Sequence, residues 1–144
     1  MTLEVPQPLG DHPDLTVAVT TGTEHWRVGE IALVVRADGS VDVLNRRAGK
    51  QQRFSGQVDR EAVDALGSEL AGLELPGRGG PSEPDETPVK IAVRRDDEVL
   101  SAGEAWDGRR HEDARLDGLL RRCDEIVAGV TGGRLPYGDD GPIE

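Results

Sequence analysis

The chain has 144 residues, a formal charge of -11, and only 35% hydrophobic and 3% aromatic residues. That length suits one domain with one core, which aliphatic side chains must build. One Phe, one Tyr and two Trp argue against a base-stacking platform for single-stranded nucleic acid, and the acidic balance argues against a partner with a phosphate backbone.

Residues 1–14 hold Pro6, Pro8 and Pro13 with little periodicity and read as an extended N-terminal arm. From Leu15 the pattern changes: Leu15, Val17 and Val19 alternate with Thr16, Ala18 and Thr20, and Val28 to Arg36 is an apolar run rich in β-formers, so both read as strands. The second is expected to be central. Asp38-Gly39 then signals a tight hairpin, because Asp and Gly tolerate the positive φ such turns need. The returning strand runs from Val41 to Arg47, and after a turn at Gly49 the stretch Gln51 to Ser55 adds a further short strand.

Asp59 reads as a helix N-cap, with Val58 in the staple position and Glu61 near the positive end of the helix dipole. Val63, Leu66, Leu70 and Leu73 fall on one stripe, while Gly67 and Gly72 each cost the helix about 1 kcal/mol against Ala. Pro76 to Pro88 is a long loop rich in Pro, Gly and acid. Val89, Ile91 and Val93 restore strand alternation, Asp96-Asp97 marks a turn, and Val99 to Trp106 pairs back as a last hairpin. A closing helix from Glu112 to Val130 buries Leu116, Leu119, Leu120, Cys123, Ile126, Val127 and Val130 and stops at Gly132-Gly133. The order is β-β-β-(β)-α-loop-β-β-α, which predicts an α+β fold: an antiparallel meander packed by two helices, spanning 15–131, with a loose tail over 132–144.

No recognised constellation carries chemistry. His12, His25 and His111 lack the spacing of a helical zinc site, so neither a metal nor another cofactor is expected. Cys123 shares the apolar face of the last helix and reads as a small core residue rather than a nucleophile. Gly77, Gly79 and Gly80 lead into Pro81 and acidic residues instead of the helix that a phosphate cradle requires. Arg46, Arg47, Lys50 and Arg53 form a local basic patch, better explained as outward-facing strand positions than as a nucleic-acid site. The start has no basic and apolar leader pattern, no stretch is apolar enough to span a bilayer, and the lone Cys cannot close an internal disulfide. A cytoplasmic protein that is not an enzyme is expected.

What remains is acidic surface. Glu83, Asp85 and Glu86 lie in the long loop, Asp96, Asp97 and Glu98 at the last turn, and Glu104 and Asp107 flank Trp106. Carboxylates steer association with a basic partner and a Trp supplies contact area, so these nine residues form the expected partner-binding surface. Trp26 and Trp106 can equally serve as core packing.

The hairpin leading into Phe54-Ser55-Gly56-Gln57-Val58-Asp59, the helix with Val63, Leu66 and Leu70, the loop ending Pro84-Asp85-Glu86, the strand Val89-Lys90-Ile91-Ala92-Val93 and the Leu-rich closing helix follow one arrangement. It resembles that of emfourin-like protease inhibitors and, more loosely, of immunity proteins from bacterial toxin systems. The resemblance covers Leu15 to Val130 in arrangement only and implies a non-catalytic protein that acts by binding another protein. The leading expectation is therefore an inhibitor or immunity-type protein masking a partner with a basic surface. The alternatives are a small-molecule-binding or accessory enzyme domain, and a structural subunit that self-associates as a homodimer.

Overall fold

Alternating apolar residues lay down the strands, and what each pairs with decides the architecture. The computed structural model describes residues 3–22, 29–47, 49–75, 88–106 and 113–132, with the backbone alone for Arg47 and Trp106. The strands are β1 (Leu15–Thr21), β2 (Glu30–Arg36), β3 (Ser40–Arg47), β4 (Lys50–Gln57), β5 (Pro88–Arg95) and β6 (Glu98–Trp106), and the helices are α1 (Arg60–Leu70) and α2 (Ala114–Thr131). All six strands form one antiparallel sheet in the order β4-β3-β2-β1-β5-β6. β1 to β4 thus make a meander, and the β5–β6 hairpin joins it along β1. The expected α+β class is shown, with β2 central as expected and β1 beside it.

Local signals set the boundaries. Gly39 turns the β2–β3 hairpin at φ 93, and the Asp38 carboxylate accepts from the Ser40 amide at 2.9 Å. A Cβ on Gly39 would lie 2.4 Å from the Val58 carbonyl oxygen, so the turn is also packed against the entry to α1. Asp59 caps α1 by accepting from the Ala62 amide at 2.8 Å, and Asp113 caps α2 by accepting from the Arg115 amide at 3.0 Å. Gly132 ends α2 in the left-handed conformation.

The core lies between one sheet face and the two helices. Val17, Val19, Leu33, Val43, Ile91 and Val93 come from the sheet, Val63, Leu66 and Leu70 from α1, and Leu116, Leu119, Leu120, Cys123 and Val127 from α2; all are buried. α1 carries no basic residue in its last turn, and the carbonyls just past its end are met from the other helix. Arg115 donates to the Gly72 carbonyl at 3.0 Å and to the Ala71 carbonyl at 2.6 Å. Arg122 pairs with Glu69 at 3.0 Å further along the same interface.

Several details differ from the sequence reading. The residues before Leu15 are not a free arm: Leu3, Val5 and Leu9 are buried in the common core. The Leu3 amide donates to the Leu73 carbonyl at 2.9 Å, the Gly72 amide donates to the Leu3 carbonyl at 3.0 Å, and a 3-10 turn at Leu9–Asp11 rests on α1. There the Gly10 amide donates to Asp64 at 2.8 Å, and Gln7 donates to the Gly67 carbonyl at 2.7 Å. Prolines suppress periodicity without preventing burial, which hides such a clasp from pattern reading. Leu73 is buried as expected, but α1 has already ended at Leu70. Pro88 opens β5 instead of closing the loop, the first strand position being one where a missing N–H is tolerated. Residues 76–87 and the tail from 133 lie outside the described residues.

Candidate functional site

Strand alternation dictates the second face of the sheet as firmly as the first. With Leu15, Val17 and Val19 turned inward, Thr16, Ala18 and Thr20 face the side opposite the helices, and the same parity places Ala32, Val34, Leu44, Ala92 and Ala102 there. Register assembles them into a patch. Ala18 stands opposite Ala92 on one side and Val34 on the other, and Ala92 stands opposite Ala102. In the next row Thr20 pairs with Ala32, and Ala32 with Leu44. All are half-buried although neither α1 nor α2 covers them. Because methyl groups stand where longer side chains flank them, a shallow hollow of about 400 Å³ forms, lined by Ala18, Thr20, Lys90, Ala92, Ala102 and Glu104 among others.

Charged side chains surround this apolar centre. Toward the β2–β3 turn, Asp42 accepts from Arg36 at 2.8 Å and from the Ser55 hydroxyl at 2.8 Å. These bonds, the Arg36 bond foremost, hold its carboxyl below the usual value of 3.8. Asp38 is also held low, first by the Ser40 amide and then by the Ser40 hydroxyl. At the opposite end of β2, Glu30 pairs with Arg46 at 3.5 Å. Lys90 and Arg94 are exposed on β5 to either side of Ala92 and make no ion pair among the described residues.

The sequence-predicted partner surface divides. Asp96, Asp97 and Glu98 are exposed at the β5–β6 turn, where Asp96 takes a φ of 52 and its amide donates to the Asp14 carbonyl at 3.0 Å. Glu104 lies at the other end of β6 opposite Lys90, about 20 Å from Glu98 at roughly 3.3 Å per strand residue. Trp106 takes the register position opposite Pro88. Glu83, Asp85, Glu86 and Asp107 lie outside the described residues, as does Trp26. Of the predicted residues whose side chains are described, only Glu104 borders the hollow.

Ala18, Ala92, Ala102, Lys90 and Arg94 were not among the sequence candidates. Their signal was present in the alternation of Lys90, Ala92 and Arg94 with Val89, Ile91 and Val93, which sets the two groups on opposite faces. Cys123 is buried on the core face of α2, as expected. Among the described residues no group of three or more His, Cys, Asp or Glu is gathered to hold a metal ion, and no helix is long and apolar enough to cross a membrane.

No family model matches the sequence, and no curated protein shows significant sequence similarity to it.

Proposed function

We propose that the protein is a non-catalytic binding protein, of inhibitor or immunity type, that covers a surface of another protein with the open face of its sheet. One observation carries this reading: the centre of a six-stranded sheet, left uncovered by either helix, is apolar from Ala102 across Ala92 and Ala18 to Val34. An antiparallel sheet that meets only water commonly alternates apolar inward with polar outward residues. Here the outward positions are apolar at the centre and charged around it, the layout of an interface with a dry middle and a polar rim.

The test is parallel affinity capture with the wild-type protein and with Ala92→Gln, which fills the hollow without adding charge. A partner retained in stoichiometric amount by the wild type and lost with Ala92→Gln supports the reading. A partner held equally by both removes the open face from the interaction, and turnover of a small molecule by the purified protein removes the non-catalytic assignment.

A further inference from the structure

Resting on that reading, the electrostatics of the open face point to the chemistry of its partner. The chain carries -11 overall, yet the charge left over beside the hollow is positive. Asp42 is matched by Arg36 and Glu30 by Arg46, and among the residues lining the hollow the carboxylate of Glu104 stands against two cations, Lys90 and Arg94. Lys90 and Arg94 are exposed and have no ion pair among the described residues. They sit two residues before and two after Ala92 on the same side of β5, about 13 Å apart at roughly 3.3 Å per residue.

We propose that this face binds an extended acidic segment of another protein, in the pattern acidic-x-apolar-x-acidic. In an extended chain alternate side chains share a side, so such a segment laid along β5 places its carboxylates over Lys90 and Arg94. Its central apolar side chain then enters the hollow over Ala18, Ala92 and Ala102. The sign is opposite to that expected from net charge, because the acidic side chains concentrate elsewhere: Asp59, Glu61 and Asp64 on α1 and its cap, Asp117, Asp124 and Glu125 on α2. With Arg53, opposite Leu44 on the same face, the cations that make no ion pair among the described residues number three, too few on a chain of -11 to hold a nucleic acid, whose affinity grows with the number of phosphates neutralised. A second copy packed with its two-fold axis over Ala92 would set Lys90 and Arg94 of one copy against Arg94 and Lys90 of the other, so a different chain fits the hollow better.

The experiment titrates the full-length, isotope-labelled protein with two acetylated peptides and follows amide resonances. One contains Glu-Thr-Trp-Thr-Glu and the other Lys-Thr-Trp-Thr-Lys. The expected result is that the Glu peptide alone shifts the amides of Ala18, Ala92 and Ala102, and that Lys90→Glu with Arg94→Glu weakens it about tenfold. The Lys peptide should then bind the doubly reversed protein. Both positions are exposed, and circular dichroism verifies that the variant is folded. Equal binding of both peptides to the wild type overturns the acidic partner while leaving the face as an interface. No shift at these amides with either peptide overturns the site and counts against the proposed function. Stronger displacement of the same amides by a single-stranded oligonucleotide overturns the protein partner in favour of nucleic acid.

Discussion

Leu9 occupies the space that a side chain on Gly67 would need: a Cβ built on that glycine meets the Leu9 Cβ at 2.7 Å. The glycine in the middle of α1 is thus the socket of the N-terminal clasp, and the helix gives up propensity to admit a fully buried leucine. Gly67→Ala should destabilise the protein by about 1–3 kcal/mol despite the better helix former, because the clash falls near two backbones. With Leu9→Gly in the background the sign should reverse, to a gain of about 1 kcal/mol. Urea unfolding of the four members of this cycle measures both.

Arg115 adds a side-chain cap from the other helix to the end of α1, where the Ala71 amide already donates to the Gly67 carbonyl. Arg115→Gln keeps much of the side chain but loses the charge and the fork that reaches the Gly72 and Ala71 carbonyls. The site is exposed, so the expected cost is about 1 kcal/mol. Amide exchange should quicken at the end of α1 and around Leu73 more than in β1.

Asp42 and Asp64 give the fold a dependence on pH. Both carboxyls are held below 3.8, Asp42 foremost by Arg36 and Asp64 foremost by the Gly10 amide. A carboxyl whose pKa is depressed by folding binds its proton more readily unfolded, so its contribution is complete above 3.8 and disappears as pH falls through the folded value. The stability difference between wild type and Asp42→Asn should therefore be largest at neutral pH and shrink steadily below pH 3.8. Asp64→Asn should behave likewise, and denaturant unfolding at stepped pH reads both.

Cys123 is fully buried between α2 and the sheet, so its thiol should react only when the domain opens. Labelling with a thiol reagent should proceed at the rate of unfolding and accelerate in step with denaturant. Cys123→Ser, which places a more strongly solvated group in the core, should cost about 1–3 kcal/mol.

Local chemistry was legible from sequence and distant company was not. The Asp59 cap, the Asp38-Gly39 turn and the Gly132 stop depend on neighbours within a few residues, and the structure has each of them. Gly67 read as a weakness because the leucine it accommodates lies far back in the chain, in a proline-rich stretch without period. The pairing of β1 with β5 could not be read because alternation names the faces of a strand and not its neighbours. The expected acidic surface divides for the same reason. The acids of Asp96 to Glu98 and Glu104 are close in sequence but stand at opposite ends of a hairpin, whereas Lys90 and Arg94 gain significance only through their place to either side of Ala92 on the open face.

The sheet order also has a kinetic side. Every strand pairing except one joins chain neighbours, so β1 to β4 and the β5–β6 hairpin can each zip up through short loops. The exception is the seam where Leu15 through Thr21 meet Arg95 through Val89. Among the described strands only that seam asks the chain to find a distant partner, and it joins the fourth and fifth strands of the finished sheet. Loop-closure entropy grows by only about 0.6 kcal/mol for each doubling of loop length. Folding should therefore be limited by the docking of the β5–β6 hairpin onto a preformed four-stranded meander, at a rate little affected by the length of the connection between Leu75 and Pro88.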